Sequence, residues 1–391
     1  MKEGWEYKTL GEVGSFKRGG NFSKKDFVKD GFPCIHYGQI HTKFGIYTEK
    51  HLSCVPANIV KKERCAKKGD LVIAITSEDE EGSCKCTAWM ADYEAYVGGH
   101  TAIYSHTLNP LFMSYYFKSP IFQIEKLNYT HGFKVVEISP KDIAKIKIPI
   151  PSLEEQRRIV SYLDSSFKLI DEIKNKALKS LTEAKALFQS ALAEAMEPKE
   201  GWEEKTLGEL CSIIGGGTPS KKNSSYYNGD IPWATVSDMN CDYLQNTICK
   251  ISDDGVKNSS TQIISKNEVI IATRVGLGKV CILCQDTAIN QDLKGIIPKS
   301  DNKLIRKFIF WWFRSKSNYI VSNGVGATVK GVKLSFVSNL KISLPTISTQ
   351  KQIVSHLDSL SSKVRAIEEK YQKMVEECDA LKQAMLRDVF E

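Results

Sequence analysis

The chain has 391 residues, 26% of them charged and 42% hydrophobic, with 54 basic against 46 acidic side chains and a formal charge of +8. This is ordinary globular composition: it excludes a disordered tail, a collagen-like chain and a secreted mini-protein, and the length predicts two or three domains. The eleven cysteines are odd in number and show no framework spacing, so reduced thiols are expected rather than a disulfide scaffold.

The opening segment MKEGWEYKTL has no apolar core, and no signal peptide is expected from it. The strongest aromatic-apolar run, Phe308 to Phe313, is too short to span a bilayer. A cytoplasmic protein with no membrane contact is therefore expected. The same opening segment introduces a repeat. GWEYKTLGEV at 4–13 returns as GWEEKTLGEL at 201–210, and GDLVIAIT at 69–76 returns more weakly as NEVIIATR at 267–274. KIPIPSLEEQRRIVSYLD at 147–164 returns as KISLPTISTQKQIVSHLD at 341–358. Three landmarks in one order at nearly constant offset make the chain a tandem duplication. The period is far too long for a solenoid.

The expected domains are 1–150, a helix over 151–199, a second domain over 200–345 and a second helix over 346–391. In each globular part, turn signals (Gly14 to Gly20, Gly215 to Pro219) alternate with short β-branched runs (Leu71 to Ile75, Val269 to Ala272, Val280 to Leu283). That pattern predicts α+β domains with several strands, and helices near Leu111 to Leu127 and Leu304 to Phe313. The stretches Ser152 to Met196 and Thr346 to Phe390 contain neither Gly nor Pro, and Pro151 and Pro345 stand just before them, where proline suits a helix start. Val160, Leu163, Phe167, Ile170, Ala177, Leu181, Ala184, Phe188, Ala191 and Ala195 follow a 3–4 spacing broken only at Lys174. Ile353, Leu357, Leu360, Val364, Ile367, Tyr371, Met374, Cys378, Leu381 and Met385 do the same. A period near 3.5 is a coiled-coil seam, and a ~65 Å helix with one narrow apolar stripe needs a partner. The two helices are expected to pair with each other; the alternative is that each packs across its own domain.

Residues 1–150 carry net +4, 151–199 net 0, 200–345 net +5 and 346–391 net −1. The positive excess therefore lies in the globular parts, where a nucleic-acid binder needs it. Recognisable catalytic chemistry is missing. There is no GxxxxGK[ST], no HExxH and no [DN]PP[YFW], and the histidines show no ligand spacing. Cys281 and Cys284 have CxxC spacing, but inside an apolar strand-like run, so buried thiols are expected rather than zinc. No metal and no cofactor is expected in this chain.

Donor-rich loops are the remaining candidates. In the second domain, Gly215-Gly-Gly-Thr-Pro-Ser-Lys-Lys offers Thr218, Ser220, Lys221 and Lys222 beside a backbone free to approach a surface. The first domain has Lys17, Arg18, Asn21, Lys24 and Lys25 at the corresponding place. Further candidates are Tyr37, Gln39, His41, Lys43, Thr76 and Ser77, and then Thr235, Ser237, Arg274, Lys279, Asn290 and Gln291. Asn and Gln suit adenine edges, Arg and Lys guanine edges and phosphates. For each of these taken singly, a solvated or capping role is the competing reading.

Taken together, GWE-KTLGE opening each domain, GGTPS with GDIPWATVSDM, AINQDLKGIIPKS, and IPIPSLEEQRRIV leading into the helix resemble the specificity subunits of type I restriction-modification systems. The resemblance covers essentially the whole chain. It implies two target-recognition domains, each followed by a spacer helix, with the helices antiparallel and related by pseudo-twofold symmetry. It implies double-stranded DNA as ligand, each domain reading half of a bipartite asymmetric site. It implies two modification subunits on the helices, supplying S-adenosylmethionine and N6-adenine methylation. Restriction subunits would supply ATP- and Mg-dependent translocation and cleavage, leaving this chain non-catalytic. Half-sites one duplex turn apart, about 34–36 Å, lie within reach of such helices. The first domain has RGGNFSKKDF in place of the GGTPS form, so the two domains are expected to read different half-sites.

Overall fold

The computed structural model describes residues 4–132, 135–326 and 328–391. Its two compact units are 1–177 with 372–391, and 178–371. Each unit joins one globular domain to part of both long helices, Leu153–Ala195 and Ile347–Phe390.

In the first domain, Glu6–Thr9 pairs antiparallel with Lys147–Ile150, tying the start of the domain to its end. A five-stranded sheet runs in the order Gly14–Arg18, Thr101–His106, Leu71–Ala74, Cys86–Trp89, Tyr47–Thr48. A four-stranded sheet runs Ser53–Val55, Phe32–Ile35, Ala95–Val97, Cys65–Ala66. The second domain repeats this order. Glu203–Thr206 pairs with Lys341–Leu344; Cys211–Gly215, Leu293–Pro298, Val269–Ala272, Val280–Leu283 and Tyr243–Leu244 form the five-stranded sheet. Cys249–Ile251, Ile231–Ala234, Thr287–Ile289 and Gln262–Ile264 form the four-stranded one. The repeated TLGE sequence is a capping box: Thr9 bonds Glu12 and Thr206 bonds Glu209, each opening a single helical turn that ends in the sheet.

The helices beside the sheets differ. In the first domain Pro120 divides the expected helix into Pro110–Lys118 and Pro120–Glu125, followed by a 3-10 turn, because a proline inside a helix removes a hydrogen bond and clashes with the preceding turn. In the second, Arg306–Ser322 runs unbroken and buries Phe308 to Phe313.

Each long helix starts on its own domain and is fixed there by a buried glutamine. Gln156 Nε2 donates to the Pro151 carbonyl at 2.9 Å, and its Oε1 accepts from the Asn109 amide at 2.9 Å. Gln350 repeats this with the Pro345 carbonyl and the Ile305 amide, both at 2.9 Å, and also donates to the Lys303 carbonyl. Leu163 and Leu357 are fully buried at equivalent places. The other helix enters each core from the opposite direction: Leu386 and Phe390 complete the first, and Phe188, Leu192 and Met196 the second. The expectation of helix-to-helix pairing and the alternative of packing on the parent domain are thus both realised, by different stretches of each helix.

The seam needs one correction. The row Leu357, Val364, Tyr371, Cys378, Met385 faces inward throughout, but in the row Ile353, Leu360, Ile367, Met374, Leu381 two members, Ile367 and Leu381, are 38% and 50% exposed. A period near 3.5 leaves two neighbouring rows available, and here Glu368 and Lys382 face the partner helix, making ion pairs to Lys185 at 2.6 Å and Asp171 at 2.5 Å. On the first helix, Val160, Ile170, Leu181 and Phe188 are buried and Phe167 is half-buried. Lys174, which breaks the apolar pattern, belongs to the seam and bonds Asp379 at 2.7 Å.

Candidate nucleic-acid interface

In the first domain the chain leaves strand Gly14–Arg18 through Gly19 and Gly20. Gly19 N donates to the Thr101 carbonyl at 3.0 Å and Gly20 N to the Val97 carbonyl at 2.6 Å. A Cβ on Gly19 would lie 2.0 Å from the Gly98 carbonyl oxygen, so only glycine fits between the two sheets. Beyond it, Ser23 caps a 3-10 turn, Lys24–Asp26. The result is an open concavity of about 820 Å³ lined by five expected residues: Arg18, Asn21, Lys24, Lys25 and Tyr37.

Four residues join them that sequence reasoning missed: His36, Arg64, His100 and Glu137. Arg64 donates to the Gly19 carbonyl and so braces the loop. Arg18 Nη2 bonds Glu137 Oε1 at 2.9 Å. His100 holds a left-handed backbone, φ +62°, uncommon for a residue with a side chain. The Tyr37 ring lies 4.5 Å from that of His36 and 5.4 Å from that of His100. Burial holds His36 below the usual imidazole range, with Lys24 and His100 adding repulsion. The concavity is therefore cationic and aromatic, with one carboxylate on its rim.

Other expected residues of this domain stand elsewhere. Lys17 and Lys43 are exposed outside the concavity. Gln39 is buried: its Oε1 accepts from His36 N at 2.9 Å and its Nε2 donates to Ser53 Oγ at 2.8 Å, so it caps a helix and is not free to read a base. Thr76 is buried, and Ser77 bonds Asp79 weakly at 3.4 Å. His41 bonds the Thr76 carbonyl at 3.3 Å and lines a second cavity of about 1110 Å³ beside the helices, with Lys118, Asp171 and Lys382.

In the second domain, residues 215–222 leave the equivalent strand Cys211–Gly215. A Cβ on Gly216 would meet the Ile289 and Asn290 carbonyl oxygens at 2.2 Å, and one on Gly217 would meet Ser260 Oγ at 2.3 Å. The close approach these glycines permit is thus internal, seating the loop on its own sheet. Trp233 Nε1 donates to the Gly217 carbonyl at 3.2 Å and Tyr227 OH to the Pro219 carbonyl at 2.7 Å. On this base Thr218, Ser220, Lys221 and Lys222 are exposed. Thr218 donates to Gln291, also exposed, and Lys294, not anticipated, donates to the Gln291 carbonyl at 2.7 Å.

Arg274 and Ser237 are exposed. Three expected residues are engaged internally. Asn290 is buried and its Oδ1 accepts from Asp292 N at 3.1 Å; Thr235 Oγ1 donates to Asp238 at 2.8 Å; Lys279 Nζ donates to Asn240 Oδ1 at 2.8 Å. Polar side chains next to turns bond the turn itself, which the sequence does not separate from readiness for a ligand. Cys281 is buried in its strand, its thiol donating to the Cys241 carbonyl at 2.8 Å and pushed up by burial to about 12. All eleven cysteines are free thiols. Among the described residues no helix is long and apolar enough to cross a membrane.

These features define a protein with two recognition domains of one fold, each presenting a braced, donor-rich loop from the same strand end. The chain matches the family model of the type I restriction modification DNA specificity domain twice, over residues 2–183 and 199–377, and it belongs to that family. The specificity subunit of the type I restriction enzyme EcoR124I/EcoR124II of Escherichia coli is 31% identical over 245 residues, 59% of this chain and 59% of that protein. The StySPI specificity subunit of Salmonella potsdam is 22% identical over 100% of this chain and 89% of its own length. Among solved structures, a chain from work on complex assembly and conformational transition of the type I R-M system superposes with a TM-score of 0.81 at 20% identity, covering 100% of this chain and 98% of that one. The HsdS subunit from Thermoanaerobacter tengcongensis gives 0.59 at 20% identity, covering 100% and 97%. These two likenesses establish the shared fold.

Proposed function

We propose that this chain is a DNA-specificity subunit that reads a bipartite, asymmetric double-stranded site, one half per domain. The observation that carries this reading is the pair of braced loops leaving equivalent strands of two like-folded domains, with different donors on each: Arg18, Asn21, Lys24 and Lys25 against Thr218, Ser220, Lys221 and Lys222. Equal scaffolds with unequal donor sets suit two different half-sites. The lysines meet phosphates and position the protein, while the exposed Arg and Asn groups read base edges.

In the same reading the paired helices fix the unread spacer and dock two modification subunits. Those subunits bring S-adenosylmethionine and methylate adenine at N6; restriction subunits bring ATP and Mg and cleave unmodified DNA. This chain supplies specificity rather than catalysis, in the cytoplasm where the DNA is. Mapping adenine methylation genome-wide with and without the gene tests this. Loss of one bipartite motif on deletion is expected, and an unchanged map overturns the proposal. Inserting one heptad into the first helix should lengthen or abolish the recognised spacer.

A further inference from the structure

The ion pairs between the two long helices share one antiparallel register. From Asp171, three and then eleven residues forward along the first helix reach Lys174 and Lys185; their partners Lys382, Asp379 and Glu368 step back along the second helix by the same intervals. Lys174–Asp379 lies in the first unit and Lys185–Glu368 in the second. The offset of the helix repeat, 147–164 onto 341–358, carries Lys174 onto Glu368 and Lys185 onto Asp379. The two pairs are therefore repeat-equivalents of each other, but both lysines stand on the first helix and both acids on the second.

That asymmetry has a consequence for partner choice. A helix of this repeat pairing with a second copy of itself would bring equivalent positions together. Two first helices would set Lys174 against Lys185. Two second helices would set Glu368 against Asp379 and, at the next position, Arg365 against Lys382. Like charges at facing coiled-coil positions select against a pairing, and opposite charges select for one. The apolar row alone does not discriminate, since the fully buried Leu163 and Leu357 are repeat-equivalent leucines. Nor do Lys179–Glu183 and Lys373–Glu377, which bridge within one helix on solvated faces.

We propose that Lys174, Lys185, Glu368 and Asp379 form a charge code that makes the seam of the first helix accept only a second helix and reject a second copy of itself. The code governs which halves assemble, and it does not rest on the DNA-reading assignment.

The test uses full-length chains. Lys174→Glu with Lys185→Glu makes both helices acidic, and Glu368→Lys with Asp379→Lys makes both basic. Each double variant is expected to melt about 4 °C or more below the parent, from broken ion pairs and new like-charge repulsion. Co-expressed with different tags, the two double variants should co-purify as a two-chain assembly, since the first helix of each then matches the second helix of the other; two tagged parent chains should not. The chain with all four changes restores opposite charge and should melt within about 2 °C of the parent. Co-purification together with that rescue upholds the code. A fourfold variant that melts as low as the doubles overturns it, as does a mixed pair that co-purifies no better than parent chains, including the case in which a double variant alone fails to fold.

Discussion

The two recognition domains share strand order, capping box and glutamine pin, yet they present their polar groups differently. The first gathers them into a concavity, where Arg18 is held by Glu137 and Tyr37 is flanked by two imidazoles. The second displays them on a loop standing on Trp233 and Tyr227, with Lys221 and Lys222 exposed. The scaffold is duplicated and the chemistry of the loops is not. Residues that hold the fold recur at nearly constant offset, whereas the exposed donors of the two loops differ.

The largest expected effects sharpen what is common to the domains. Phe390 packs 5.2 Å from Phe112 and 5.5 Å from Tyr116 in the first core, and its repeat-equivalent in the second core is Met196. Phe390→Ala should cost about 3–5 kcal/mol and Met196→Ala about 2–5 kcal/mol. Hydrogen exchange resolved along the chain should show the first loss confined to the first unit and the second to the other. A uniform loss of protection would break the picture of two separately completed cores.

The next effect separates the domains by pH. His106 ends the strand Thr101–His106, and burial lowers its imidazole to about 4 from 6.5. Its counterpart at the end of Leu293–Pro298 is Pro298, which does not titrate. A histidine kept neutral by the fold contributes stability that is present above the unfolded value and is lost as pH falls through the interval from 6.5 toward about 4. The loss amounts to roughly 3 kcal/mol, since one pKa unit is about 1.4 kcal/mol. His36 and His41 are lowered by burial in the same direction and add to the slope. Urea unfolding followed from pH 7 to 4 should therefore show the first unit weakening before the second. His106→Gln should flatten that difference.

These contrasts explain how far the sequence was legible. The duplication follows from the recurring segments, and the two long helices with Leu163 and Leu357 follow from periodicity, because burial along a helix imposes a 3–4 spacing on its apolar residues. The exposed Ile367 and Leu381 do not follow: two adjacent rows fit a period near 3.5, and the choice fell to Glu368 and Lys382, whose partners lie on a distant segment. The concavity was half legible. Arg18 to Lys25 form one run of sequence, but Arg64, His100 and Glu137 reach it from three other segments that only strand order brings together. Gln39 and Asn290 look like base readers because an amide side chain has the same donors and acceptors whether it serves a turn or a ligand.

A smaller effect distinguishes positioning from reading in the second domain. Lys221→Ala with Lys222→Ala should weaken DNA binding by the assembled complex almost equally on cognate and altered half-sites. It should lower the log–log salt slope by about 0.9 for each phosphate that is no longer neutralised. Arg274→Ala should cost about 1–3 kcal/mol and relax preference at one position of that half-site if it reaches a base. Binding isotherms at several salt concentrations on matched and altered sites separate the two, and equal salt slopes for both variants would erase the distinction.

The smallest effect bears on the carboxylate that sets the first domain apart. Arg18 and Glu137 are both about half exposed, so their pairing contributes only about 0.2–1 kcal/mol to stability. Glu137→Gln should leave the melting temperature nearly unchanged while releasing the guanidinium and removing a negative charge from the rim of a cationic surface. If Arg18 meets a phosphate, the variant should bind DNA more tightly at high salt, and the salt slope should steepen by about 0.9, the value of one neutralised phosphate. If Arg18 instead reads a base and needs Glu137 to orient it, affinity for the cognate half-site should fall while the slope stays as it was. Arg18→Ala shows the complementary pattern in either case, so the pair of variants assigns the arginine to the backbone or to a base edge.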